Sequence, residues 1–410
     1  MPPGKYNESL SANPRTIPVS TPPAAARSSA RSPLSTLAFY SAGHFAVDLY
    51  SSALGVFQPL LASQVGINLT QAGVLGGVMV FAGSVMQPVY GILSDRFHSR
   101  LFSVLAPAIA GLFISALGLA PSYSLLLLLV FLGASAVASF HPQASVRAAA
   151  EVSGSRGKAM AFFISAGSLG FAIGPTYFSV MLERFGLSQS YWAAIPGVLV
   201  TLALLFAIPE THVPAHQRQR IDWGPLRAVW RPLFLLYMLV FLRSVVQISF
   251  TQFLPLYLSK ERGFTFQSAS LALTLYSTMG AIGGLTGGHL ADRFGGRNVI
   301  LYSMAGSVPF LLLFFEASGG LALAGLAFAG LILLSTNPVN IVMAQELAPG
   351  QSGTVSALMM GFAWGMAGII FIPLAGLFAD HYSLHQVLRS FVLFPALGFL
   401  LAFRLPKAAQ

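Results

Sequence analysis

The first long apolar stretch of the sequence contains two groups able to exchange a proton, His44 and Asp48. Residues four apart lie on the same face of a helix, so a helical stretch places the imidazole beside the carboxyl, with Ser51 and Ser52 one turn later. A carboxyl in apolar surroundings next to a base is suited to taking up and releasing a proton. We therefore predict Asp48 as a proton carrier, with His44 either sharing the proton or only bonding the carboxyl. A static buried pair that joins two helices is the alternative.

A second apolar stretch carries one polar face, formed at intervals of four residues by Arg243, Gln247 and Thr251. Arginine keeps its charge and offers a planar fork of donors that suits carboxylate and phosphate groups. We therefore predict that Arg243 binds an anionic ligand together with Gln247, or that it is the counter-ion of Asp48. The sequence leaves both alternatives open.

Two further apolar stretches have a polar residue directly before a proline, His141 before Pro142 and Asn337 before Pro338. Proline has no N–H and leaves the carbonyl about four residues earlier without its helical partner, which creates a polar position inside the helix. We predict a ligand-binding cluster there, and a satisfied structural histidine is the alternative for the first pair. The predicted members are His141, Gln143, Asn337 and Asn340.

The sequence shows no arrangement of these groups that is typical of an enzyme. It has no Gly-x-Ser-x-Gly elbow, no Walker loop, no His-Glu-x-x-His motif and no cysteine. No second carboxylate lies near Asp48 in the sequence to support hydrolysis or metal binding. We therefore expect no enzyme, no metal site and no cofactor.

The composition indicates that these groups lie in a membrane. Of the 410 residues, 55% are hydrophobic and only 8% are charged, and the mean hydropathy is +0.73. An average soluble domain has about 25% charged residues, so this chain cannot cover a soluble surface. Although the formal net charge is +10, no dense Lys/Arg tract with interleaved aromatics occurs, and we expect a lipid partner and no nucleic acid.

Twelve apolar stretches are each long enough to cross a hydrocarbon core of about 30 Å as a helix. Runs such as 125–131 do not alternate as the strands of a lipid-spanning barrel would. We therefore predict an all-α integral membrane protein with twelve transmembrane helices. The predicted spans are 36–63, 69–94, 101–119, 122–147, 157–183, 189–208, 231–259, 266–290, 298–316, 319–345, 353–379 and 385–405.

The positive charges predict the orientation of these spans. Most of the 22 Lys and Arg lie in the terminal segments and in the loops on one side, and positive loops mark the cytoplasmic side. Both termini are therefore predicted to be cytoplasmic, in the inner (plasma) membrane. Residues 1–34 are rich in Pro, Ser and Arg and are predicted to form a disordered cytoplasmic tail, with a targeting segment as the alternative.

The sequence contains an internal repeat with an offset of 197 residues. Because this interval holds six spans, an even number, the two halves are predicted to be parallel repeats at 35–208 and 232–405, joined by a linker at 209–231 and followed by a tail at 406–410. The repeated pattern Gly-x-x-x-Asp-Arg-Phe-x-x-Arg follows the second and eighth spans. Its residues are Gly91, Asp95, Arg96 and Arg100 in the first copy and Gly288, Asp292, Arg293 and Arg297 in the second.

Two six-span halves with this loop pattern resemble the major facilitator superfamily of secondary transporters, over about residues 35–405. Within it, the segments 140–142, 344–350 and 361–366 resemble the fosmidomycin-resistance-type efflux proteins. In that pattern the residue after His-Pro tends to be acidic, whereas this sequence has Gln143, which puts a proton-carrying role at that position in doubt.

The resemblance implies gating roles for the loop pattern. Glycines let two helices approach closely, and the aspartates can accept from an arginine or lie at a helix N-terminus in the other half. In this interpretation the pattern latches the cytoplasmic side when that side closes, and ordinary positive-inside anchors are the alternative. Two further gate residues are predicted near the cytoplasmic end of the tenth span, Gln345 and Glu346.

The fifth span resembles the signature of drug/proton antiporters, because it combines small residues at close-packing spacing with a proline. Its residues are Gly167, Gly170, Gly174 and Pro175. The resemblance implies a monomeric secondary transporter that works by rocker-switch alternation. We predict proton-coupled efflux of a small polar or amphiphilic compound such as a fosmidomycin-like antibiotic, with a proton gradient as the energy source. Proton-coupled uptake of an organic anion and a non-transporting membrane sensor remain alternatives.

Overall fold

The computed structural model describes residues 33–97, 99–150, 156–209 and 223–405, and these residues are almost entirely helical, with no strand among them. Of the predicted tail at 1–34, only Pro33 and Leu34 are described, and they already belong to the first helix. Most of the predicted linker at 209–231 and the tail at 406–410 lie outside the described residues.

The described residues contain eleven spans that are long and apolar enough to cross a membrane. The predicted eighth span is also a helix, Phe266–Phe294 of 29 residues, but its glycines, polar residues and charged end make it less apolar than the others. The predicted all-helical membrane fold is therefore confirmed, and we number the spans 1 to 12 in chain order. The eleven are Leu34–Gln64, Leu69–Ser94, Leu101–Leu119, Tyr123–Ala148, Ala159–Phe185, Leu187–Ala207, Trp230–Glu261, Gly296–Glu316, Gly319–Leu347, Gly353–His381 and Leu384–Ala402.

Most of these spans are composed of shorter helices. The helices of the first half are Pro33–Ser51, Leu54–Gln64, Leu69–Val80, Gln87–Phe97, Leu101–Val104, Ala106–Ser115, Tyr123–Ala150, Arg156–Phe185 and Ile195–Ala207. Those of the second half are Trp223–Ala228, Trp230–Glu261, Phe266–Phe294, Gly296–Glu316, Gly319–Leu334, Thr336–Leu347, Ser352–Ala357, Trp364–His381, Leu384–Ser390 and Leu393–Ala402. Two π-helical segments interrupt spans 2 and 11, at Phe81–Val85 and Leu358–Ala363.

Tyr50 of span 1 holds the core of the first half together. Its side chain is fully buried, and its hydroxyl donates to the Ala193 carbonyl at 3.0 Å and accepts from the Gly197 N–H at 2.9 Å. Gly197 has no room for a side chain here, since a Cβ would lie 2.9 Å from the Tyr50 hydroxyl oxygen. The phenol therefore joins span 1 to the irregular start of span 6.

Replacing Tyr50 with Phe is expected to lower the stability of the protein, because the Gly197 N–H and the Ala193 carbonyl lose a buried partner. The loss in the free energy of unfolding is expected to be about 1–3 kcal/mol. The thermal unfolding midpoint of the purified protein in detergent measures it. Tyr191→Phe is the matched control, since that ring is 43% exposed, and equal midpoints for the two variants would contradict this account.

The two halves meet closely at one end of the bundle. We call the end that carries Leu34 and Leu405 the terminal end, and the opposite end the far end. At the far end a Cβ on Gly55 of span 1 would lie 2.1 Å from the Thr251 backbone oxygen of span 7, and one on Gly73 of span 2 would lie 2.6 Å from a backbone oxygen of span 11. Toward the terminal end, the last close approach between the two described halves is at Gly365 of span 11, where a Cβ would lie 2.8 Å from Val85 of span 2.

The terminal end shows no comparable approach between halves among the described glycines. A Cβ on Gly353 or Gly361 of span 11 would meet nothing within 4 Å. Those on the repeated Gly91 and Gly288 would reach only Pro142 and Pro338 of their own halves, at 3.6 and 3.8 Å. The described halves are therefore packed together at the far end and parted at the terminal end.

The far end also carries the hydrogen bonds between halves that the described residues form. The Asp380 carboxylate of span 11 accepts from the Leu69 and Thr70 backbone N–H groups at 2.9 and 2.8 Å, and from the Thr70 hydroxyl at 2.6 Å. It thus caps the N-terminus of span 2 from the other half, where a negative charge is favourable. On the opposite side, the hydroxyls of Thr176 and Thr274 lie 2.7 Å apart and join span 5 to span 8.

Candidate functional site

Three ionisable side chains meet inside the first half. The Asp48 carboxylate of span 1 lies between two imidazoles, with its Oδ2 3.3 Å from Nε2 of His44 and its Oδ1 3.5 Å from Nε2 of His141. The first partner lies one turn away on the same helix, as the spacing predicts, and the second comes from span 4. We call His44, Asp48 and His141 the proton cluster.

Backbone carbonyls fix both imidazoles of the proton cluster. Nδ1 of His44 lies 2.8 Å from the Phe163 oxygen of span 5, and Nδ1 of His141 lies 2.8 Å from the Val137 oxygen of its own helix. A carbonyl can only accept, so each Nδ1 carries the hydrogen. Each ring is thereby oriented with Nε2 toward the carboxylate.

Span 5 makes room for this cluster through the glycines identified in the sequence. A Cβ on Gly167 would lie 2.4 Å from Nε2 of His44 and 2.6 Å from Oδ2 of Asp48. One on Gly170 or Gly174 would lie 2.1 Å from the Phe45 oxygen or from the Ser52 hydroxyl. The close packing of span 5 on span 1 therefore follows from these small residues, whereas Pro175 lies within a continuous helix.

The proton cluster is largely buried but remains accessible. The side-chain exposure is 9% for His44, 18% for Asp48 and 24% for His141. The rings of Phe163 and Phe140 cover the first imidazole, with centroids 4.2 and 6.1 Å from it. A proton or a water molecule can thus reach the cluster mainly past Asp48 and His141.

The atom types of the proton cluster are also those of metal ligands, and they lie within 4.8 Å of one another. The Asp48 carboxylate lies between the two imidazoles, with one Nε2 near each of its oxygens. An imidazole and a carboxyl in such contact can exchange a proton, and the expectation of no metal site stays a prediction.

Arg243 of span 7 lies buried in the second half and is 5% exposed. Its Nη2 donates to the Ser244 hydroxyl at 3.0 Å, while Nε and Nη1 have no hydrogen-bond partner among the described residues. The ion pairs of Asp48 in the described structure are those with the two histidines, so Arg243 is not its counter-ion in this conformation. The Tyr276 phenol of span 8 is near enough to interact electrostatically with the guanidinium, and its hydroxyl is likewise without a partner.

The remaining predicted binding residues do not form one group. Gln143 accepts from the Ser103 hydroxyl at 2.5 Å and donates to the Ser99 carbonyl at 2.9 Å, which ties span 4 to the start of span 3. Asn340 is buried and donates to the Thr336 carbonyl of its own helix. Gln247 and Asn337 are half-buried. In the described structure neither Gln143 nor Asn340 forms a hydrogen bond with His141.

The repeated loop pattern forms no latch between halves in the described structure. Arg96, Asp292 and Arg293 are exposed, and the side chain of Asp95 lies outside the described residues. Both outer arginines bind within their own half, Arg100 to the Leu205 carbonyl at 3.1 Å and Arg297 to the Phe403 carbonyl at 3.0 Å. Since the terminal end is parted in this conformation, the role of the pattern as a latch of the closed end stays a prediction.

The two predicted gate residues of span 10 differ in their contacts. Gln345 donates to the Ser356 hydroxyl at 2.7 Å, which joins span 10 to span 11, whereas Glu346 is exposed. Arg147 of span 4, one of the basic residues that the sequence assigns to the cytoplasmic side, is buried and donates to the Tyr40 hydroxyl of span 1 at 3.4 Å. A basic residue near a helix end looks like an ordinary anchor in the sequence, so only its burial distinguishes it.

Comparison with known proteins decides the family. A sequence model of the Major Facilitator Superfamily matches residues 40–371 and, in a second overlapping match, residues 253–410. The chain belongs to the major facilitator superfamily. It is therefore a multi-pass membrane transporter, and members of this superfamily are transporters and not enzymes.

Individual relatives indicate which members of the superfamily this transporter resembles. It is 30% identical over 389 residues to the fosmidomycin resistance protein of Escherichia coli, covering 93% of this chain and 95% of that protein. It is also 30% identical over 374 residues to an uncharacterized MFS-type transporter, YfnC, of Bacillus subtilis, covering 89% of this chain and 91% of that one. The predicted resemblance to fosmidomycin-resistance-type proteins is confirmed.

A solved structure shares the fold of the transporter. A bacterial homologue of the human lysosomal transporter Spinster, in an inward-facing and occupied conformation, superposes with a TM-score of 0.75 at 14% identity. The match covers 90% of this chain and 95% of that one. This likeness confirms the fold.

Proposed function

We propose that this transporter exports a small polar or amphiphilic compound in exchange for protons, by rocker-switch alternation of its two halves. The observation that supports this function best is the proton cluster, in which one carboxylate lies 3.3 and 3.5 Å from two imidazoles. Ionisable groups inside a membrane protein are costly to bury and mark ion or proton pathways. Here all three ionisable groups of the proton cluster lie together in the first half, on helices that move relative to the second half when the halves rock.

The conformation of the described residues supports a proposal for the stage of the transport cycle at which the proton cluster releases its protons. Span 1, which carries His44 and Asp48, is packed against span 7 at the far end, and the described halves are parted at the terminal end. With the terminal end cytoplasmic, as the positive charges predict, the cluster opens toward the cytoplasm and releases its protons there. Substrate then binds, the halves rock, and protons enter from the opposite side.

A proton gradient supplies enough energy for this exchange. Moving one elementary charge across the membrane yields about 2.3 kcal/mol per 100 mV of potential. Each 1.4 kcal/mol supports an approximately tenfold difference in concentration. One or two protons per cycle are therefore sufficient for steep export of a small solute.

Fosmidomycin-like phosphonates are the substrate class that we propose. The 30% identity to a fosmidomycin resistance protein along nearly the whole chain supports this choice. Arg243 also supports it, since a buried guanidinium whose Nε and Nη1 donors have no partner in the described part of the chain matches the oxygens of a phosphonate. The same residue supports the second candidate function, proton-coupled uptake of an organic anion.

Transport in proteoliposomes separates these functions. Fosmidomycin flux is measured with an imposed pH gradient, with and without an ionophore that collapses it. Export predicts that substrate moves against the direction of the protons and that the ionophore stops net accumulation. Movement together with the protons would favour uptake, and no flux of any phosphonate or organic anion would favour a non-transporting sensor.

Replacing Arg243 with Gln is expected to weaken substrate binding more than turnover. A hydrogen bond to a charged group contributes about 1.5–3 kcal/mol, so the KM for fosmidomycin should rise on the order of tenfold or more. Initial rates over a range of substrate concentrations measure this. Arg404→Gln is the control, since that arginine is exposed near the chain end. An unchanged KM in Arg243→Gln would remove this residue from the substrate site.

A further inference from the structure

We propose that His141 carries a second proton, so that the proton cluster exchanges two protons per transport cycle. This inference rests on the proposed proton-coupled function and adds a proton-carrying residue and a stoichiometry to it. It also reassigns His141, which the sequence suggested as a substrate-binding residue. The argument comes from the hydrogen-bond chemistry of the two imidazoles.

Backbone carbonyls determine which ring nitrogen of His44 and of His141 carries the hydrogen when the imidazole is neutral. Nδ1 of His44 and Nδ1 of His141 each lie 2.8 Å from a carbonyl oxygen, and neither contact is possible without an N–H at Nδ1. A neutral imidazole has only one N–H. When either ring is neutral, its Nε2 is therefore a bare lone pair.

Both bare lone pairs would face the same carboxylate. Nε2 of His44 lies 3.3 Å from Oδ2 of Asp48, and Nε2 of His141 lies 3.5 Å from Oδ1. A bare lone pair on Nε2 is repelled by a carboxylate oxygen, whereas a protonated Nε2 is attracted to it, so a proton on each imidazole stabilises each of these ion-pair contacts. Two contacts to two different oxygens are therefore stabilised by two protons.

The charges balance as follows. In the loaded cluster, two imidazolium rings flank one carboxylate, and the cluster has a net charge of +1. Release of both protons to water leaves two neutral imidazoles and one carboxylate, with a net charge of −1. The first release removes the proton and the attraction from one contact, and the second removes them from both. The described conformation, with both contacts formed, corresponds to the loaded cluster.

Few other charged or titratable groups surround the cluster in the described part of the chain. On spans 1 and 4 they are Tyr40 and Arg147, bonded to each other at 3.4 Å, and Tyr50, bonded to the start of span 6. Span 2 adds the half-buried Tyr90, and span 5 faces the cluster with Phe163 and Gly167. None of these forms an ion pair with Asp48 in the described structure, so the two histidines are its proton partners.

Nitrogen-15 NMR of histidine-labelled protein in lipid bilayers counts the protons directly. The chain has eight histidines, and the signals of the cluster are assigned by their loss in His44→Gln and His141→Gln. We expect N–H at both Nδ1 positions throughout, and N–H at both Nε2 positions when the cluster is loaded. A loaded cluster with only one protonated Nε2, and no proton on the carboxyl by infrared spectroscopy, would overturn the inference.

The ratio of proton flux to fosmidomycin flux tests the stoichiometry in proteoliposomes. We expect two protons per substrate in the unmodified protein and one in His141→Gln. The control His289→Gln, an exposed histidine of span 8, should keep the ratio of two. A ratio of one in the unmodified protein that His141→Gln leaves unchanged would overturn the second proton while proton coupling stands. Flux without any proton movement would instead overturn the proposed function, and the NMR count would still decide the protonation of the cluster.

Discussion

Asp48→Asn is expected to abolish accumulation of substrate driven by a pH gradient while leaving substrate exchange between the two sides intact. The amide keeps the size of the carboxyl and can still bond one imidazole, but without the negative charge it no longer stabilises two imidazolium rings. A pH difference of one unit supports an approximately tenfold accumulation for each coupled proton. In the variant this accumulation should fall to the equilibrium ratio of one.

The measurement combines gradient-driven uptake with counterflow of labelled fosmidomycin in the same proteoliposomes. Counterflow shows that the variant is folded and binds substrate, so that loss of accumulation reports coupling alone. Glu183→Gln serves as control, because Glu183 is an exposed carboxylate at the far end of span 5. Retained gradient-driven accumulation in Asp48→Asn would exclude this carboxyl as the coupling group.

Gly55→Ala is expected to stop transport by preventing closure of the far end. The added Cβ would lie 2.1 Å from the Thr251 backbone oxygen and 3.2 Å from that of Gln252, and backbone atoms cannot yield as a flexible side chain does. All three nearest atoms belong to the other half, so the substitution opposes the meeting of halves and not the folding of either one. We expect the variant to remain in a conformation parted at the far end.

Spin labels at Ser63 and Tyr382, both exposed at the far end, report this state through their separation. The chain has no native cysteine, so two introduced cysteines carry the labels without further changes. The distance should increase in Gly55→Ala and stay unchanged in Gly361→Ala, where an added Cβ meets nothing within 4 Å. Normal transport and an unchanged distance in Gly55→Ala would refute the closure described for spans 1 and 7.

Those features that depend on neighbouring residues could be predicted from the sequence. The spans follow from apolar length, the pairing of His44 with Asp48 follows from their spacing, and the packing of span 5 follows from Gly170 and Gly174. Each of these features is a property of one helix or of one residue size. They were therefore visible without knowing how the helices are arranged.

The features that depend on the arrangement of helices could not be predicted. His141 is 93 positions from Asp48, and only the packing of span 4 on span 1 brings them together. Gln143 was grouped with His141 because the two are close in sequence, but residues two apart point to different sides of a helix, and its amide bonds span 3 instead. The nearness of Tyr276 to Arg243 likewise depends on how span 8 lies against span 7.

The two contact seams between the halves differ in the geometry of their helices and in their hydrogen bonds at the far end. One seam joins spans 2 and 11, which carry Phe81–Val85 and Leu358–Ala363, and it is capped by Asp380. The other joins spans 5 and 8, which are continuous helices, and the repeat counterpart of Asp380, Glu183, has no hydrogen bond among the described residues.

Each extra residue in a π turn rotates all following positions by about 100° relative to a regular helix. The repeat offset still leads to equivalent surroundings beyond the first π turn, where Gly91 and Gly288 lie against Pro142 and Pro338, so the two seams differ locally. A mutational scan of one seam of this transporter cannot be transferred to the other by adding the repeat offset, because Asp380 binds across the halves and Glu183 has no hydrogen bond among the described residues.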